Sequence, residues 1–545
     1  MMLGISLGVV VKAVGHNQSA SPATAKEVAS YFNPLTDIFL RLIKMIISPL
    51  VFVRLVSGTA SMNDGKMAGG VGNKAFAWFV TASIISLRRT ALMCISARYL
   101  VYIQTCLAIL VVATSSASAQ SDTPSAYAKI DASAARQRVL VLTDIGNEPD
   151  DQMSLVRLLV YANALDIEGL VATTSVWQSE HTHAETIVAL VEAYGEVRPN
   201  LMKHADGWPE ATSLKAIIAA GPAGYGMAAI RPAALSSGAR RLIDAADKSD
   251  SRPLWISVWG GANTLAEALR SVRANRSSAA LAAFVDKLRI YSISDQDDAG
   301  PWIRREFPNL FYIVQPSTPG SADYAQATWT GISGDRYYRN GEGADFSTVG
   351  DDWLETNIRA KGTLGRHYPR YMFIMEGDTP AFLNLLPSGL ESYRNPSWGG
   401  WGGRYIYRQP YGETRPIWSQ GGDLFSRVSS ADTVIGIDGN PHTSDQATVW
   451  RWRQAFQHDF AARMDWTYKS YEQANHHPLV QVNGQGGLAT LEIQVQVGQS
   501  FELNAEGSID PDGNQLNYRW FQYDEAGGPP DDARGVGQAE LAIVA

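Results

Sequence analysis

Four carboxylates crowd one short turn of this chain: Asp144, Glu148, Asp150 and Asp151 fall within eight residues. Like charges this close repel, and the arrangement is costly unless a cation sits among them or one acid is neutralised. Hard divalent cations take oxygen ligands, so a cation site is the economical explanation. Acids ahead of a helix also cap it and favour the positive end of its dipole, so Asp150 and Asp151 admit a structural reading as well.

The elements on either side must hold that turn in place. Residues 139–142 form a β-branched and aliphatic run typical of a strand buried on both faces, and residues 151–159 carry apolar side chains at helical spacing. The alternation repeats. Residues 167–175 read as a strand and 183–195 as a helix ending at glycine, with 253–261 a strand followed by a helix over ANTLAEALRSVR. Further strands are expected at 287–294, 309–314 and 370–376, and a long amphipathic helix at 446–466 closes the domain. Strands alternating with helices predict an α/β fold, a mainly parallel sheet with helices on both faces, whose ligands gather beyond the carboxyl ends of the strands.

The segments at those ends are 144–151, 173–178, 259–263, 294–298 and 376–378, which makes Asn263 and Glu376 candidate substrate contacts. Asp295, Asp297 and Asp298 are candidate contacts for sugar hydroxyls, or else solvated loop acids. Trp177, Trp259 and Trp302 fall at the expected mouth, and Trp398 and Trp401 sit in a glycine-rich loop. Indole faces suit the apolar faces of sugar rings, although a buried tryptophan also serves as core.

Strand, TDIGNEPDDQ, then helix is similar to the DTDxGxDD signature of nucleoside hydrolases. It resembles in particular the nucleoside-hydrolase-like domain of a bacterial family described as cellulose-binding proteins, over about residues 136–466. The resemblance implies calcium held by Asp144 and Asp151, with Asp150 as the base that deprotonates the attacking water. GGANTLAEAL is similar to the GPLTNLA segment, which would give the ion the Trp259 carbonyl. MEGDTPAFL resembles the HDP segment and would supply Asp378, and TTSVWQ matches TTVAGN, which puts Gln178 at a sugar-contacting position. Three departures from the nucleoside hydrolases stand out: Leu142 replaces the first aspartate of the signature, the turn is about two residues longer, and Gly377 stands where those enzymes have a leaving-group histidine. The implied activity is calcium-dependent hydrolysis of N-glycosyl, nucleoside-like or related glycosidic bonds. The alternative is a non-catalytic protein that keeps the pocket and binds cellulose or another polysaccharide.

The rest of the chain is of other kinds. Its 545 residues allow several domains, and a formal charge of −8 with 46 basic residues argues against a nucleic-acid binder. Residues 1–87 contain the apolar run LTDIFLRLIKMIISPLVFVRLVSGTA and resemble the N-terminal helices of dicarboxylate and amino-acid:cation symporters, without the substrate- and ion-binding half. Membrane association is expected only through this fragment. Residues 88–119 then carry a signal-peptide pattern: Arg98, an apolar stretch and Ala117-Ser118-Ala119 as a cleavage site. A fused or mis-started gene for an exported protein is the expectation, and a retained membrane anchor is the alternative. Both cysteines, Cys94 and Cys106, lie in the signal-like segment. Residues 120–135 read as linker, 136–470 as the α/β domain, and 471–545 as a partial immunoglobulin- or cadherin-like β-sandwich with strands at 491–497, FELNA and 516–523. Asp510 and Asp512 there could bind a second calcium, but Asp-Pro-Asp-Gly is ordinary turn chemistry.

Overall fold

The computed structural model describes residues 136–231, 234–334, 341–422, 429–487, 490–496 and 498–527. The symporter-like and signal-like segments, and the linker, lie outside the described residues. Among the described residues no helix is long and apolar enough to cross a membrane.

Eight strands form one sheet: β1 (Gln137–Thr143), β2 (Leu165–Ala172), β3 (Ile218–Ala220), β4 (Leu254–Val258), β5 (Leu288–Ser292), β6 (Phe311–Ile313), β7 (Ile406–Arg408) and β8 (Ile417–Ser419). Their order is β3-β2-β1-β4-β5-β6-β8-β7, and every neighbouring pair is parallel except β7 with β8. Side chains alternate between faces along a strand, and both faces are buried here. Val139 and Val141 join Trp255 and Tyr291 in one core, while Leu140 and Leu142 join Ile256 and Ile290 in the other. Helices α1 (Pro149–Val160) and α2 (Ala184–Leu201) cover the first face. After the short α3 (Ala211–Lys215), helices α4 (Ser237–Asp247), α5 (Asn263–Asn275), α6 (Ser278–Asp286) and α7 (Ala299–Glu306) cover the second, and α8 (Arg453–Asp465) returns to the first. The expected α/β architecture is therefore the observed one. The chain leaves β1 toward β2 and later adds β4 on the other side of β1, so a topological switch point lies between the ends of β1 and β4.

Three expected elements of this domain differ. Helix α2 runs past Gly195 to Leu201, because a Cβ at Gly195 would lie 2.9 Å from the Ala211 Cβ; the glycine permits close packing and is not a terminator. Residues 370–376 form no strand. The place beside β6 belongs to β8, through Ile313 and Trp418, and Glu376 has φ +56°, outside the extended region. The long helix at 446–466 is two helices, Ala447–Trp450 and α8, with Arg451 and Trp452 at the junction both engaging the C-terminal segment.

That segment keeps antiparallel pairing, between Gln481–Val482 and Gln485–Gly486 and at the Leu479–Ile509 bridge. Its other described residues carry no strand. Ile493, Val495 and Tyr518 are exposed, so among the described residues no opposing layer covers the alternating positions. The segment is nonetheless tied to the α/β domain. Tyr523 Oη donates to Asp432 Oδ2 at 2.7 Å, and the His476 ring, stacked among His204, Tyr471 and Trp466, meets Asp512 at 2.8 Å. Asp510 Oδ1 accepts from the backbone of Asp512 and Asn514, which is the turn chemistry expected of it.

Candidate metal centre

Strand β1 ends at Thr143, and the turn that follows delivers Asp144. Pro149, pre-set for a helical φ, starts α1 and puts Asp150 and Asp151 in its first turn. From the far end of the sequence, Asp378 arrives on the loop after residue 376, just ahead of a short helix at Pro380–Leu383. Ligand atoms of Asp150, Asp151 and Asp378 lie within 4.8 Å of one another. Asp151 and Asp378 are buried, and Asp150 is half-buried. Asp144 is buried beside them. It packs on Gly260, where a Cβ would lie 2.5 Å from its Oδ1, so the glycine after Trp259 is what lets the carboxylate reach the end of β4.

Burial together with mutual repulsion pushes these acids toward their neutral forms. Desolvation and then the charges of Glu148 and Asp144 raise Asp150 to about 8. Desolvation, followed by Asp144 and Asp150, holds Asp151 well above the usual carboxylate range. Asp378 is raised by burial and then by Asp151, Asp150 and Asp144, while burial raises Asp144 against a lowering bond from Ser175. The Thr143 hydroxyl donates to Asp151 Oδ1 and fixes its orientation. Asp378 Oδ2, though buried, has no hydrogen-bond partner among the described residues. An unpaired buried carboxylate oxygen within a converging all-oxygen donor set fits a hard divalent cation.

The acids floor a cavity of about 200 Å³ whose walls are largely aromatic: Trp177, Trp259, Tyr324, Trp329 and Phe373, with Gln296 and Ser294 at the end of β5. Trp177 is 44% exposed at the mouth. Trp259 is fully buried and its indole donates to Ser257, so it serves mainly as core; its carbonyl accepts from the Gln296 amide. Tyr324 and Trp329 stack with centroids 6.0 Å apart.

Several candidates from the sequence have other tasks in the structure. None of Gln178, Asn263, Asp295, Asp297, Asp298, Trp302 and Glu376 is among the residues lining the cavity. Gln178 donates to the carbonyls of Asp144 and Ile145 and braces the acidic turn. Asn263 bonds Thr174 and the Gly224 carbonyl, and Asp297 accepts from the backbone of Asn263 and Ala299. Asp295 forms a two-pronged ion pair with Arg304 at 2.8 and 2.9 Å, and Asp298 accepts from Met227 N. Trp302 packs on Phe307 under Arg273. Glu376 is fully buried against Arg157, Tyr368 and Thr379. Trp398 lies under Arg394 and Trp401 against Phe456, both away from the cavity wall. Conversely, Asn147, Gln296, Tyr324, Trp329 and Phe373 line the cavity without having been singled out; Asn147, inside the acidic turn, and Gln296, between the acids of SDQDD, had a signal nearby.

A cavity at the switch point of a parallel sheet, floored by acids from β1, α1 and a distant loop, defines a nucleoside-hydrolase-like α/β protein. The family described as "Cellulose-binding Sde182, nucleoside hydrolase-like domain" matches residues 138–405, and "Cellulose-binding protein Sde0182, C-terminal domain" matches residues 500–543. A solved structure of a nucleoside hydrolase-related hypothetical protein from Saccharophagus degradans, described as associated with carbohydrate metabolism, is 36% identical. The match covers 72% of this chain and 86% of that one, with a TM-score of 0.60. The chain belongs to this cellulose-binding, nucleoside-hydrolase-like family. Its first 137 residues match the sodium:dicarboxylate symporter family. Over 87 residues the chain is 38% identical to a proton/sodium-glutamate symport protein of Geobacillus stearothermophilus, and over 63 residues 44% identical to a C4-dicarboxylate transport protein of Granulibacter bethesdensis. It spans only 19% and 14% of the length of those relatives.

Proposed function

We propose that this protein is a calcium-dependent hydrolase of N-glycosyl or related glycosidic bonds, acting on a carbohydrate or nucleoside-like ligand after export. The observation that carries the reading is the convergence of Asp150, Asp151 and Asp378 within 4.8 Å on the floor of an aromatic-walled cavity. Asp151 and Asp378, with Asp144 and the Trp259 carbonyl beside them, would hold the ion. When bound, the ion would supply Lewis acidity and a fixed seat for vicinal hydroxyls. Asp150 accepts the proton of the attacking water, whose oxygen bonds to the anomeric carbon as the glycosidic bond breaks and its electron pair leaves with the aglycone. The surrounding carboxylates stabilise the oxocarbenium-like sugar, and the tryptophans exclude bulk water and seat the ring.

Gly377 narrows the chemistry. A Cβ there would lie 2.8 Å from Asp150 Oδ2 and 3.1 Å from Trp329, so any side chain at that position must first shift the Asp150 carboxylate or the Trp329 ring, and glycine itself supplies no leaving-group acid. The reaction then suits aglycones stable as anions. The same observation favours a second reading, a polysaccharide-binding protein without turnover. Assays of the purified protein with 4-nitrophenyl glycosides, nucleosides and cello-oligosaccharides, with and without EDTA, separate the two. Metal-dependent release of free sugar, greatest for the nitrophenyl substrates, is the expected result. Retention on cellulose with no release moves the protein to the second reading, and neither release nor retention defeats both.

A further inference from the structure

A helix places residues i, i+4 and i+7 on one face, and on α1 these are Asp150, Ser154 and Arg157. Each faces the loop that follows residue 375. Asp150 and its neighbour Asp151 meet Asp378, the Thr379 and Ser154 hydroxyl oxygens lie 3.0 Å apart, and Arg157 Nε lies 2.6 Å from Glu376 Oε2. Only the first of these contacts is repulsive. The other two attract, and all four of their side chains are fully buried. Glu376 also accepts from Tyr368 at 2.6 Å and from Thr379 at 2.9 Å, while the Arg157 guanidinium lies over Phe460 at 4.1 Å and donates to Gln457 on α8. Glu376 holds φ +56°, a conformation that costs any residue other than glycine energy and persists only where the surroundings over-determine it.

We propose that Arg157, Glu376 and Thr379 are positioning residues that clamp the Asp378 loop against the acidic first turn of α1 and so set the spacing of the cation's ligands before the ion arrives. Without the clamp, repulsion between Asp378 and the Asp150–Asp151 pair opens the loop, and the ion must draw it back at the expense of affinity. The inference rests on the cation reading above. Groups that orient metal ligands are typically worth about 10- to 100-fold in affinity, which sets the expected effect.

Calcium titration calorimetry and thermal melts on the full chain test it. Glu376→Gln should weaken calcium binding about 10-fold or more. Thr379→Val should weaken it, whereas Thr379→Ser, which keeps the hydroxyl, should bind like the parent. The control is Glu168→Gln, which breaks the buried Arg138–Glu168 pair at the opposite end of the sheet. It should lower the melting temperature and leave calcium affinity unchanged. If Glu376→Gln fails to fold, the Thr379 pair carries the test alone. Unchanged affinity in Glu376→Gln or Thr379→Val, or an equal loss in the Glu168→Gln control, overturns the clamp and leaves the cation site standing. A parent protein that binds no calcium overturns both.

Discussion

In the proposed chemistry Asp150 is the base, and that role makes a separable prediction. General-base help is worth about 10² to 10⁴ in rate, so Asp150→Asn should lose at least ~10²-fold in kcat while calcium affinity stays within a few-fold of the parent. A smaller rate loss removes the base assignment, and a collapse of calcium affinity would make Asp150 a ligand instead. Gly377 gives the sharpest steric test. Gly377→His restores the nucleoside hydrolases' leaving-group acid in name, but its Cβ must displace Asp150 Oδ2 or the Trp329 ring. We expect that variant to lose activity and calcium affinity, and a gain in nucleoside hydrolysis would show that the pocket can accommodate the acid. At the mouth, Trp177 is 44% exposed and has little packing to lose. Trp177→Ala should weaken carbohydrate binding several-fold, in line with an aromatic contact worth about 1 kcal/mol, with the melting temperature unmoved.

The site is built from the carboxyl ends of parallel strands and the amino end of one helix. Strand β1 brings Asp144, β4 brings Trp259 and β5 brings Ser294 and Gln296. Two glycines after β4 make this convergence possible. Side chains at Gly260 and Gly261 would collide with Asp144 and with the Thr174 carbonyl and Asp297. Gly260→Ala should therefore disturb Asp144 and weaken calcium binding, measured by the same titration, even though residue 260 offers no ligand side chain. The acids after β5 illustrate the opposite case. Asp295 and Asp297 sit at the right ends of the right elements, yet they are spent on Arg304 and on backbone amides of α5 and α7.

At the level of the whole molecule, the buried acids couple stability to pH and to the ion. Raised carboxyl groups bind protons in the folded state that the unfolded chain has already released. Between the ordinary carboxylate range near 4 and the value of about 8 for Asp150, the native state holds more protons, so stability falls as pH rises. The metal-free protein should melt at progressively lower temperature from pH 5 to pH 8. Calcium should raise the melting temperature most at the upper end, where the acids are ionised and the ion takes the place of the protons. A pH-independent melting curve in EDTA would mean that the cluster is not buried as described.

The sequence by itself determined the middle of the sheet, strands β2, β1, β4, β5 and β6, because a parallel strand buried on both faces announces itself as a short apolar run, and 139–142 and 253–261 are such runs; the short edge strands β3, β7 and β8 carry too few residues to announce themselves. It also determined the acidic turn, whose members are adjacent in the chain. Only the tertiary structure decided what Asp378 meets and which polar residues are free to face a ligand. Asp295 and Glu376 look as available as Asp144 in the sequence, but their partners Arg304 and Arg157 are 9 and 219 residues away. Which acids are neutralised by the protein and which are left for a cation is a matter of three-dimensional pairing, and residue order does not carry it.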